Sequence, residues 1–192
     1  NVPRLDYKKN YVHATDNSYY NFDGVDDYIT APQTIYTGDN YALFEFTIND
    51  VTGLQRLFGD ISSATTRNFA ISQQNGNISI LYSNGSFQWI GVGRVLSNGG
   101  TYIIEAWRDG SAMNLLIDGV AQTLVGGFAF TNTTGAEVII GRRNSAVSGN
   151  YLNGSVKRFY RFNTIPTSAE RLDLRNGVAI PEKYVGANNV DL

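Results

Sequence analysis

"NFDGVDDYITAP", residues 21–32, sets three carboxylates, a glycine and a proline around a few apolar side chains. Three readings compete for it. Asp23, Asp26 and Asp27 could gather around a cation, two of them could work as a catalytic pair, or the stretch could be a tight turn that opens a β-strand. Local chemistry favours the turn. Asp-Gly at 23–24 suits a tight turn with φ > 0, and Asp26 would cap local backbone N–H groups. Phe22 and either Tyr28 or Ile29 then face apolar neighbours, and Pro32 marks the exit.

Outward from this stretch the same punctuation recurs. Asn-Gly stands at 75, 84, 98, 153 and 176, and Asp-Gly at 23, 109 and 118. Both dipeptides suit hairpin turns. Between them lie short runs such as "YALFEFTI" (41–48), "NISILYS" (77–83), "TYIIEAWR" (101–108), "EVIIGR" (137–142) and "GSVKRFYRF" (154–162). About nine or ten such strands predict an all-β chain, a two-sheet antiparallel sandwich or barrel. Alternation assigns Ala42, Phe44, Phe46 and Ile48 to the core and leaves Leu43, Glu45 and Thr47 on the other face. By the same rule Ile104 and Ala106 point inward, while Ile103, Glu105 and Trp107 share the outer face. The adjacent aromatics Phe159 and Tyr160 break the alternation and predict a β-bulge there.

One helix is expected, in "PTSAERLDLRNG" (166–177). Thr167 stands three residues before Glu170, the spacing of a capping box; Leu172 and Leu174 would face inward, and Gly177 would end the helix. The domain reading is residues 1–19 as an irregular linker, 20–177 as the folded unit, and 178–192 as an extended tail.

Composition narrows the function classes. The 192 residues suffice for one domain with a sizeable core. A net charge of −2, with Lys and Arg scattered, offers no basic field for a phosphate backbone, so no nucleic-acid partner is expected. No apolar run reaches the roughly 20 residues of a membrane helix. The chain has no cysteine, hence neither a disulfide framework nor a thiolate metal site. Asn1 is not a start methionine, and nothing resembles a signal peptide, which points to a piece of a longer chain. His13 is the only histidine and lies in the polar first segment, without a partner for a hydrolytic triad or an ordinary zinc site. Sequons at Asn77, Asn84, Asn132 and Asn153 are no more than expected in a chain this rich in Asn, Ser and Thr.

Taken in order, "FDGVDDYI", "ALFEFTI", "YIIEAWRDGSAMNLLIDGVAQ", "VIIGRR" and "LNGSVKRFYRFNTIPTSAE" resemble the laminin G-like, concanavalin A-like jelly-roll family over about residues 20–176. The resemblance implies a two-sheet antiparallel β-sandwich with one short C-terminal helix. At the ends, "NVPRLDY" (1–7) and "RNGVAIPEKYVGAN" (175–188) resemble segments of bacteriophage tail-fibre and related appendage proteins. That implies a module of a larger extracellular or virion-surface protein, with other fibre subunits as partners.

The fold so implied hosts glycoside hydrolases, but their E-x-D-x-x-E strand does not occur here. Glu45 and Glu105 share the outer face, and a carboxylate pair about 5–5.5 Å apart could perform retaining hydrolysis; a solvated pair of strand glutamates is the simpler reading, so no enzyme is expected. Glycan binding suits the residues better. Tyr82, Trp89, Trp107 and Tyr151 offer rings that stack on sugar C–H faces, Glu105 stands beside Trp107, and Arg142, Arg143 and Asn144 in "GRRNSAVSGNY" bring donors for hydroxyls or an acidic sugar. The same aromatics could instead pack the sandwich. No cofactor is expected apart from calcium at Asp23, Asp26 and Asp27, which remains the alternative to the capped turn. The function reading is thus a non-catalytic, lectin-like module recognising host or cell-surface glycans; the alternative is a structural spacer of a fibre with no ligand.

Overall fold

The computed structural model describes residues 4–6, 11–13, 19–31, 38–61, 69–83, 87–124, 137–143 and 149–178. Fourteen strands run among them in chain order: β1 (Arg4–Asp6), β2 (Tyr11–His13), β3 (Tyr20–Asp23), β4 (Ile29–Ala31), β5 (Asn40–Ile48), β6 (Leu54–Ile61), β7 (Phe69–Gln74), β8 (Asn77–Ser83), β9 (Phe87–Val95), β10 (Gly100–Asp109), β11 (Ala112–Ile117), β12 (Val120–Ala121), β13 (Glu137–Ile140) and β14 (Asn153–Phe162), followed by helix α1 (Ser168–Asn176). They form two antiparallel sheets. One has the order β1-β2-β14-β5-β10-β11-β12, with β3 also paired to β14; the other runs β4-β13-β6-β7-β8-β9.

The turn dipeptides do what their chemistry allows. Asn75 and Gly76 (φ 48° and 84°) join β7 to β8, and Asp118 and Gly119 (φ 51° and 77°) join β11 to β12. Two successive positive φ values make a primed hairpin turn, whose twist matches that of the flanking strands. Asp23-Gly24 turns as expected too, with Gly24 at φ 83°.

Between the sheets lies the main core. Ala42, Phe44, Phe46 and Ile48 of β5 point into it, as alternation requires, and meet Ile104 and Ala106 of β10. Phe58 from the second sheet lies 5.4 Å from Phe44 and 5.1 Å from Phe159, ring centre to ring centre, so three aromatics bridge the layers. Burying each such ring stabilises the fold by roughly 1.5–3 kcal/mol.

The outer face of the first sheet is also apolar. Tyr41, Leu43, Tyr160 and Phe162 form a second cluster with Leu174 of α1, and Ile103 and Trp107 pack against it. The helix starts at the reciprocal capping box of Thr167 and Glu170 and ends on Gly177 in the left-handed conformation, as its sequence dictates. Leu174 is fully buried, but Leu172, expected inside, is 45% exposed: the helix centres Leu174 on the sheet, and Leu172 stands roughly 200° round the helix from it.

Two further expectations change. Residues 1–19, expected to be irregular, contain β1 and β2, which pair antiparallel, and β2 also pairs with β14 through Arg158 and Phe159. The irregularity in β14 lies between Val156 and Arg158 rather than at Phe159-Tyr160. Phe159 and Tyr160 are both buried because both faces of β14 are covered, the first by the opposite sheet and the second by the helix cluster. The tail beyond residue 178 lies outside the described residues.

Candidate functional site

Three loops meet at one end of the sandwich. The first is the turn after β3. Asp23 Oδ1 accepts from the Val25 amide at 2.7 Å and from the Asp26 amide at 3.4 Å, which folds the chain back on its own carboxylate. A Cβ on Gly24 would stand 3.0 Å from the Asn153 Cβ, so only glycine lets this turn lie against the start of β14. The second loop joins β5 to β6. There Asp50 accepts from the Thr52 amide at 2.9 Å and from the Thr52 hydroxyl at 2.5 Å, and these bonds hold its carboxyl below the ordinary carboxylate range. The third loop precedes β14: Asn150, at φ 59°, gives its carbonyl to the Arg56 amide at 2.8 Å.

Gln55 fastens two of these loops together. Its Nε2 donates to the carbonyls of Asp50 (2.6 Å) and Thr52 (3.3 Å), and its Oε1 accepts from the Asn153 amide at 3.0 Å. The result is a cleft of about 640 Å³ walled by Asp23, Asp50, Thr52, Gln55, Asn150, Tyr151 and Asn153, with Val25 on its rim. Its size falls in the range of small-ligand sites, and its mix suits a polyol: carboxylates and amides for hydroxyls, with the exposed Val25 and half-buried Tyr151 as apolar surface.

Beside the cleft, ligand oxygens of Asp23, Asp26 and Asp27 lie within 4.8 Å of one another, all three exposed. Calcium takes 6–8 oxygen ligands, so this trio matches part of such a set. The turn already uses it: Asp27 Oδ2 accepts from the Asp23 amide at 3.0 Å, and Asp23 Oδ1 holds Val25 and Asp26. Capping was expected of Asp26, but Asp23 and Asp27 are the acceptors, and Asp26 gives its amide to Asp23.

The other predicted site residues scatter. Arg142 sets its guanidinium 3.5 Å from the centre of the Tyr28 ring, and Arg143 is half-buried. Tyr82 is buried in the main core rather than open to a ligand. Glu105, only 1% exposed, accepts from the Tyr41 hydroxyl at 2.9 Å and from Arg175 Nη1 at 2.7 Å. Trp107 packs on Tyr41, and the Arg171 guanidinium lies 4.3 Å from its ring. The solvated pair Glu45–Glu105 is therefore corrected. Helix α1 covers that face, and Glu45 is bound by Arg158 and, at 3.4 Å, by Lys157. Trp89 pairs with Leu81 in the β8–β9 ladder, but its side chain, like Asn144, lies outside the described residues. Of the predicted glycan-site residues, Tyr151 alone among the described ones lines the cleft, with Asp23 from the predicted metal set. Asp50, Gln55, Asn150 and Asn153 were missed, although Asp50-x-Thr52 is a local turn signature that could have marked the second loop.

No family model matches the sequence, and no curated protein matches it. The fold does have solved counterparts. It is similar to the CBM40 carbohydrate-binding module of the Ruminococcus gnavus IT-sialidase bound to α2,3-sialyllactose, with a TM-score of 0.60 and 10% identity over 82% of this chain and 98% of that one. It is similar to Trypanosoma rangeli sialidase in complex with sialic acid, with a TM-score of 0.65 and 15% identity over 86% of this chain; the chain spans only 29% of that sialidase. A third likeness, at a TM-score of 0.56 and 13% identity, is to the native heptameric SAP-like pentraxin of Limulus polyphemus, covering 87% of this chain and 82% of that one. At such identities the likeness is one of fold alone, a two-sheet antiparallel β-sandwich.

Proposed function

We propose that the chain is a non-catalytic carbohydrate-binding module that recognises glycans at the end of its sandwich where Asp23, Asp50 and Tyr151 meet. The observation that carries this reading is the cleft itself: about 640 Å³, polar, held open by Gln55 and edged by Tyr151 and Val25. The sandwich it shares with a sugar-bound CBM40 module supports the same reading. So does the state of Glu45 and Glu105, which are buried against arginines.

On this reading the module runs from residue 20 to 177 and the β1–β2 pair extends its sheet. Its place is a larger extracellular or virion-surface protein, such as a phage fibre, with a host or cell-surface glycan as ligand. Arg142, over the Tyr28 ring, and Arg143 stand as secondary contacts. The test is a glycan array probed with the unaltered domain and with Tyr151→Ala. Retention should fall at least about ten-fold in the variant, the range lost when a well-packed aromatic contact is truncated, while the melting temperature stays within a few degrees. Trp89→Ala, measured alongside, tests the ring that the sequence alone puts forward. An array blank for the unaltered domain would instead assign the chain to the spacer class.

A further inference from the structure

The charge of the cleft bears on which sugars it takes. Its walls carry the carboxylates of Asp23 and Asp50, and its described lining contains no lysine, arginine or histidine. Asp50 is ionised at neutral pH, because Thr52 donates to it twice and holds its carboxyl low. Asp26 and Asp27 place two more acidic side chains next to Asp23. None of the four forms an ion pair with another described residue. The nearby Arg142 guanidinium lies over the Tyr28 ring.

We propose that the cleft selects uncharged, hydroxyl-rich saccharides and discriminates against sialylated and other anionic glycans, a specificity that rests on the carbohydrate-binding reading above. A sugar hydroxyl donates to a carboxylate in a charge-assisted bond, which is among the stronger neutral-ligand contacts a protein surface offers. A sugar carboxylate or sulfate brought to the same wall meets like charge at a few ångströms, with no cation in the described lining to offset it. The amides of Asn150 and Asn153 add no charge. Shared architecture with a module that carries sialyllactose does not transfer that ligand, because the lining here has the wrong sign for it.

The experiment uses matched pairs, lactose and α2,3-sialyllactose among them, immobilised at equal density and titrated with the domain. The neutral member of each pair should bind on the order of ten-fold more tightly, the effect of like charge a few ångströms away in a partly wet site. The gap should narrow as salt is raised. Asp50→Asn, which keeps an oxygen for the Thr52 amide, should shrink the gap; Asp23→Asn serves the same purpose if the first variant folds poorly, with a melting curve for each. Equal or tighter binding of the sialylated members would overturn the charge selection and leave the carbohydrate reading standing. Retention of neither member would overturn the carbohydrate reading and this specificity with it.

Discussion

Arg175 donates from Nη1 to Glu105 Oε1 at 2.7 Å, and this bond ties the last turn of α1 to the middle of β10. A second arginine completes the fastening from the sheet side. Arg158 gives Nη1 to the Leu174 carbonyl at 2.8 Å and Nη2 to the Arg175 carbonyl at 2.9 Å, supplying donors to carbonyls that a helix end leaves without internal partners. Glu105 is the pivot, since Tyr41 also donates to it.

Removing that pivot should therefore be costly. Glu105→Ala leaves Arg175 and the Tyr41 hydroxyl without their acceptor, and stability should fall by about 3 kcal/mol, the usual effect of breaking a buried ion pair from one side. Urea denaturation of the domain measures it. A loss below about 1 kcal/mol would mean that the pair behaves as a surface salt bridge.

Alkaline pH should probe the same spot. Burial first, then the charge of Glu105, raises the Tyr41 phenol well above its ordinary value of 10.0. A raised pKa in the folded state means that the stability due to this group is complete below about pH 10 and declines above it, as the unfolded chain releases the proton first. Tyr41→Phe should consequently flatten the fall in stability above about pH 10. Unfolding curves at graded alkaline pH, compared between the two proteins, give the answer; identical slopes would assign the fall to other groups.

Gly141 ties the third loop of the cleft to the opening strand. Its φ is 87°, and a Cβ there would lie 2.6 Å from Cε1 of Phe22, a ring of the main core. Gly141→Ala combines left-handed backbone strain with overpacking and should destabilise by about 3 kcal/mol. Because the loop carries Tyr151, the same variant should weaken glycan retention even at temperatures where the sandwich stays folded.

The aspartate cluster makes a separable prediction. With its Oδ1 accepting from the Val25 and Asp26 amides, Asp23→Ala should lower stability by about 1 kcal/mol, the worth of a local cap, and by the same amount in chelator and in calcium. A melting temperature that falls on adding chelator, with the fall abolished by Asp23→Ala, would place a cation among Asp23, Asp26 and Asp27.

Local signals were legible in the sequence. The cap at Thr167, the stop at Gly177, the turns at Asn75-Gly76 and Asp118-Gly119, and the inward set on β5 all follow from neighbouring residues alone. What escaped was the second layer. Leu43 between Ala42 and Phe44, and Tyr160 after Phe159, mark strands apolar on both faces, and such strands require a cover on each side. Reading Glu105 and Trp107 as solvent-facing overlooked that the predicted helix needed a surface on which to bury Leu174. The cleft escaped for a different reason: Asp23, Asp50 and Asn150 are brought together by the pairing of β3 with β14, by the Gln55 crossbar and by the bond from the Arg56 amide to Asn150, all distant in sequence.

Strand β14 pairs with β2, β3 and β5, all of which precede residue 49, whereas β14 itself begins at Asn153. During synthesis at about 5–20 residues per second, the edge of β5 therefore waits roughly 5–20 s for its partner. The meander β6-β7-β8-β9 needs no such wait, because each strand pairs with the next. Assembly is thereby ordered in time. The four-strand meander can form on a growing chain, β4 joins its sheet only when β13 arrives, and the larger layer closes last and with the slow kinetics of long-range pairing, so a chain interrupted before Asn153 presents an open, apolar β5 edge to its neighbours.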